Sequence, residues 1–125
     1  MSRILILEND AELAMTWSQA LAADGHEVET SADVYAALDR VEESPPDLAI
    51  TEILLDGLGG IAFTGRVKLR DPAIKVVAVT GDPAALASGV SALSLARRVG
   101  ADLLLEKPIE ASALVAAVRR LLADG

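Results

Sequence analysis

Four short, unbroken apolar runs set the limits on what this chain can become. They are Ile4-Leu5-Ile6-Leu7, Leu48-Ala49-Ile50, Val76-Val77-Ala78-Val79 and Leu103-Leu104-Leu105. A run with no polar side has no face to offer to water, so each reads as a strand covered on both faces. His26-Glu27-Val28-Glu29-Thr30 alternates instead, as an exposed edge strand does, with His26 as one of its surface residues. Helical patterns lie between these strands. Leu13, Trp17, Ala20 and Leu21 form the first stripe, closed by Gly25. Val34, Ala37, Leu38 and Val41 form the second, and Ile61, Thr64 and Val67 the third. Asp82-Pro83 supplies an N-cap and a first-turn proline for a fourth helix with its stripe at Leu86, Val90 and Leu93. Leu114, Val118, Leu121 and Leu122 form the fifth, with Arg119 and Arg120 near its C-terminus.

Strand and helix alternating five times predicts an α/β fold: a doubly wound, parallel, five-stranded (βα)5 sheet with helices on both faces. The 125 residues are the size of one domain, so 1–125 is read as a single unit with no output domain in it. Trp17, Tyr35 and Phe63 are the only aromatic residues, so the core must be aliphatic. The absence of cysteine excludes disulfides and thiolate metal sites, and His26 alone cannot build a histidine cluster. A net charge of -8 argues against a nucleic-acid surface, which needs clustered Lys and Arg. No run is long and apolar enough for a bilayer and no signal-peptide pattern precedes Ile4, so a cytoplasmic protein without membrane contact is expected.

Sheets of this kind bind ligands outside the carboxyl ends of their strands. Those ends read Glu8-Asn9-Asp10 after the first strand, Glu52 after the third, Thr80-Gly81 after the fourth and Glu106-Lys107-Pro108 after the fifth. Carboxylates, a hydroxyl and a lysine at one edge make an inventory suited to phosphoryl transfer. Taken singly the motifs are weak: Asp10 reads as the N-cap of the first helix, Asp56 as a solvated turn residue, Asp82 as a cap and Trp17 as core.

In order and position, however, these motifs resemble the receiver domain of two-component response regulators, over essentially Arg3 to Leu122, and the resemblance implies a flavodoxin-like sheet with strand order 2-1-3-4-5. In that family an acidic pair and an acceptor aspartate hold magnesium, and a Thr or Ser and a Lys-Pro contact the phosphoryl group. The resemblance puts Glu8 and Asn9 at the acidic pair and Glu52 at the acceptor. The Leu54 carbonyl completes the metal site, Asp56, Gly57 and Gly60 form the turn, and Thr80 is the switch hydroxyl. Lys107 and Pro108 match the strand-five lysine and its cis-peptide partner, and Leu104 stands where the family has an aromatic switch residue.

Three of these positions depart from the family pattern. Glu52 is one methylene longer than aspartate, about 1.5 Å, and displacing a reacting group by ~1 Å can cost ~100-fold. Asn9 brings no charge to a site for magnesium, which demands near-octahedral oxygens. Leu104 lacks the ring of the usual switch and reads as a leucine packed under the fourth helix. The resemblance therefore implies an atypical, non-enzymatic pseudo-receiver that needs no cofactor, with magnesium at most weakly held by Glu8, Asn9, Glu52 and the Leu54 carbonyl. Such a domain would act by protein contact, with Glu52 paired to Lys107. Its partner would be a histidine kinase, another regulator or a homodimer partner, met through the face of helix four, strand five and helix five. The alternative is a conventional magnesium-dependent phosphoacceptor using Glu52 or Asp56. More distant is a flavodoxin-like small-ligand binder or enzyme, which lacks a glycine-rich phosphate loop after strand one.

Overall fold

The structure, a computed structural model, describes residues 2–86 and 89–124. Five parallel strands, β1 (Arg3–Leu7), β2 (Glu27–Ser31), β3 (Leu48–Glu52), β4 (Lys75–Thr80) and β5 (Leu103–Glu106), lie in the order β2-β1-β3-β4-β5. They alternate with α1 (Ala11–Ala23), α2 (Val34–Glu43), α3 (Gly59–Arg70), α4 (Ala92–Arg98) and α5 (Ala111–Asp124). The expected doubly wound fold is the one observed. No described helix is long and apolar enough to cross a membrane.

Side-chain alternation along the strands divides the core. On β1, Ile4 and Ile6 join Trp17 and Leu21 of α1 and Leu114 and Val118 of α5. Leu5 and Leu7 face the other way, to Ala37 and Val41 of α2 and Phe63 and Val67 of α3. Every residue of β3 is buried, as befits the central strand. A third cluster, built on Ile53, Ile61, Ala78, Ala92 and Ala96, seats α4.

Two expectations are corrected. The fourth helix does not start at Asp82: its N-cap is Ser91, whose Oγ accepts the Ser94 N–H at 3.0 Å. Asp82, Pro83 and Ala84 instead turn the chain, through Ala85 N–H to Asp82 O and Leu86 N–H to Ala84 O. Gly89, at a φ of 76°, is in a left-handed conformation that a right-handed helix cannot contain. Residues Ala87 and Ser88, also assigned to that helix from sequence, lie outside the described residues. His26, read as a surface residue, precedes β2 and has a side chain only 11% exposed, with Nε2 3.6 Å from Asp24. The turn after α1 tucks the imidazole beside the Asp24–Arg119 ion pair, a contact between α1 and α5 that local alternation does not encode.

Candidate functional site

The parallel register carries the ends of β1, β3, β4 and β5 to one edge. Leu7 pairs with Thr51, Glu52 with Val79 and Thr80 with Glu106. Backbone hydrogen bonds continue past the strands: Glu8 N–H to Ser31 O, Ile53 N–H to Val79 O and Lys107 N–H to Thr80 O. Residues Glu8, Ile53 and Lys107 are thus fixed by the sheet rather than by loops, and side chains on such positions meet with little freedom.

Three of the expected site residues converge. Lys107 Nζ lies 2.7 Å from Glu8 Oε1 and 2.8 Å from Glu52 Oε1. The Glu8 side chain is fully buried and that of Glu52 is 10% exposed. Each carboxylate spends its second oxygen on the backbone: Glu8 Oε2 accepts the Asp10 N–H at 3.0 Å, and Glu52 Oε2 the Leu54 N–H at 2.9 Å. The contact at Glu8 Oε1 is close but poorly directed, an ion pair rather than a hydrogen bond in line with a lone pair. Burial alone would pull the Lys107 ammonium below the ordinary lysine pKa; the close negative charges of Glu52 and Glu8 outweigh it and leave the group raised.

The remaining expected residues surround this triad without joining it. Asn9 is exposed. Asp10 is the N-cap of α1, its Oδ1 accepting the Leu13 N–H at 3.1 Å. The Thr80 hydroxyl is buried and accepts the Asp82 N–H at 3.2 Å. Leu104 is half-buried against the cluster that seats α4. The Lys107-Pro108 peptide bond is cis. Asp56 is exposed at a φ of 48°, followed by Gly57 at 84°, and lines a surface groove with Val34, Tyr35 and Leu38 rather than with the triad. Gly60 is obligatory for another reason. A Cβ there would stand 1.8 Å from the Glu52 carbonyl oxygen, so only glycine lets α3 start this close to the end of β3.

Trp17 was legible as core and is fully buried, but it also has a place at the site. Its ring centroid lies 6.0 Å from Lys107 Nζ, at the outer limit of a cation–π contact, and its Nε1 has no hydrogen-bond partner among the described residues. A helix-face pattern signals burial only; it cannot say which cation the ring will meet.

A doubly wound sheet with carboxylates, a hydroxyl and a lysine at its carboxyl edge defines the class of receiver-like signalling folds. The family model described as Response regulator receiver domain matches residues 4–119, and the chain belongs to that family as the receiver domain of a two-component response regulator. Among solved structures, a CheY-like receiver domain protein from Methanospirillum hungatei JF-1 superposes with a TM-score of 0.88 at 27% identity, covering 99% of this chain and 95% of that one. The DNA-binding response regulator MtrA of Mycobacterium tuberculosis (strain ATCC 25618 / H37Rv) is 32% identical over 117 residues, 94% of this chain and 49% of that protein. A protein-glutamate methylesterase/protein-glutamine glutaminase of Anaeromyxobacter dehalogenans is 36% identical over 107 residues, 85% of this chain and 29% of that protein. The chain therefore spans half or less of the length of these curated relatives.

Proposed function

We propose that this receiver domain is an atypical one, a pseudo-receiver that signals by protein contact without a phosphorylation cycle at Glu52. The observation that carries this reading is the state of the Glu52 carboxylate. One oxygen is paired with Lys107 at 2.8 Å and the other accepts the Leu54 N–H at 2.9 Å. A nucleophile so engaged must break an ion pair before it can attack phosphorus. Its extra methylene already holds negative charge against the lysine that, in the family, contacts the phosphoryl group, so the pocket resembles one that has received its charge.

The same geometry bears on magnesium. The expected ligands do not fit it as they stand: an ammonium lies against both carboxylates, Asn9 is exposed, and the second oxygen of Glu52 is taken up by the Leu54 N–H. Among the described residues, no group of three or more His, Cys, Asp or Glu is placed to hold a metal ion.

The contact surface we favour is the face of α4, β5 and α5. Strand β5 is the outermost strand beside β4, and Leu103, Leu104 and Leu105 on it are only half-buried, as are Leu93 and Leu95 of α4. Apolar side chains at a sheet edge suit a protein partner, and a histidine kinase, a second regulator or another copy of the chain would each fit. A cytoplasmic location goes with such partners.

Incubation with acetyl phosphate and magnesium, followed by intact-mass analysis, tests the reading. The expected result is no phosphoryl adduct. An adduct that disappears in Glu52→Gln or in Asp56→Asn would overturn it in favour of a conventional phosphoacceptor at that residue.

A further inference from the structure

Each buried carboxylate of the pocket has both oxygens in use, one on a backbone N–H and one on the same ammonium. A third nearby carboxylate is also committed, since Asp10 turns to the N-terminus of α1 to accept the Leu13 N–H. The ammonium has charge partners on two sides and the Trp17 ring on a third. Lys107 is held in place by the sheet, through its own N–H to Thr80 O.

We propose that Lys107 is the permanent cation of this pocket: its ammonium, seated between Glu8 and Glu52 and beside the face of Trp17, fills the place a divalent ion would need and makes the domain insensitive to metal. The proposal deepens the pseudo-receiver reading and rests on it for the claim that no metal-dependent step remains to be served. A magnesium ion binds oxygens at about 2.0–2.1 Å. An ion that close to both Oε1 atoms would share them with an ammonium nitrogen 2.7 and 2.8 Å away, and two cations on one pair of oxygens repel. Metal entry is thus opposed while Lys107 stays in place. Two oppositely charged neighbours oppose its departure, and the tethered side chain competes at high effective concentration without dissociating. The family's external cofactor is in this sense replaced by an internal one.

The single tryptophan makes the test direct, because Trp17 emission reports on the cation beside it. Titration of the wild-type protein with magnesium or manganese chloride is expected to give no saturable change in Trp17 fluorescence and no rise in Tm. Lys107→Met, which frees both Oε1 atoms, is expected to gain both responses. A saturable response of the wild-type protein, or a folded Lys107→Met variant that stays silent, would overturn the proposal.

A second measurement needs no variant. Acetylation of the three lysines, resolved by mass spectrometry, should proceed several-fold more slowly at Lys107 than at Lys75, with the same ratio with and without magnesium. Magnesium-accelerated labelling of Lys107 would show displacement and also overturn it. The two readings fail separately: a phosphoryl adduct without a metal response sinks the pseudo-receiver alone, and a metal response without an adduct sinks the built-in cation alone.

Discussion

Lys107 and Glu52 form an ion pair 2.8 Å long across the carboxyl edge of the sheet, and the same ammonium also meets the fully buried Glu8 at 2.7 Å. One cation therefore compensates two carboxylates that water barely reaches. Removing it leaves charge where charge is costly, and that asymmetry governs the pocket's contribution to stability.

Lys107→Met is expected to lower the unfolding free energy at pH 7 by roughly 3 kcal/mol, in the range for breaking a buried pair from one side. Urea denaturation followed by Trp17 fluorescence measures it. Adding Glu52→Gln to the variant should recover part of the loss, because one of the two orphaned charges is then gone.

The alkaline limb of stability should carry the same signature. The folded-state pKa of Lys107 is raised, so the folded protein holds its proton more tightly than the unfolded chain. That stabilisation is complete below the ordinary lysine value of about 10.4 and is lost as pH rises through the folded value. Between those two values the wild-type protein should lose stability more steeply than Lys107→Met, as read from chemical denaturation at successive pH.

The acid limb has different owners. Hydrogen bonding by Arg119 holds the Asp24 carboxyl below its usual value, and Arg40 does the same for Glu29. Each stabilisation is present above the ordinary carboxylate range and fades as pH falls through the folded value. Asp24→Asn should flatten the acid limb of a Tm-against-pH curve slightly, while leaving the alkaline limb unchanged.

Gly60→Ala should disrupt the pocket without touching its charges. The new methyl group collides with the Glu52 carbonyl, so β3 and the start of α3 must separate. A loss of about 2 kcal/mol or more is expected, the upper part of the range for overpacking. An increase in Lys107 acetylation in the same variant would show that the triad loosens with the backbone.

Lys68 tests a second buried lysine, at the opposite end of the sheet. Its Nζ donates to Ile74 O and to Asp102 Oδ2, each at 2.6 Å, and Asp102 Oδ2 also accepts the Val76 N–H at 2.8 Å. Lys68→Met should cost about 2 kcal/mol by leaving these acceptors without their cation. Hydrogen exchange at Val76 and its neighbours should rise with it.

The sequence carried the elements and the family because both are written in local spacing. Alternation on β2, continuous apolar runs at β1, β3 and β4, and helical stripes at Leu13, Trp17 and Leu21 or Leu114 and Val118 need only the period of each element. The order of Glu8, Glu52, Thr80 and Lys107 at successive strand ends needed no coordinates either. Where local signals competed, spacing alone was insufficient. Asp82-Pro83 and Ser91 are both acceptable helix starts, and Gly89 with the turn at Asp82 decides for Ser91. Arg119, which spacing places simply near the end of α5, crosses to Asp24, 95 residues away in the chain.

What the sequence by itself determined is the doubly wound sheet, through its family resemblance the strand order, and which residues would stand at its carboxyl edge. Only the tertiary structure decided that Glu8, Glu52 and Trp17 surround one ammonium while Asn9, Asp10 and Asp56 turn elsewhere. The physical reason is that periodicity fixes the face a residue occupies. Distances between side chains from different strands are instead set by parallel register and by the packing of α1 and α3 on the sheet, which no short window of sequence contains.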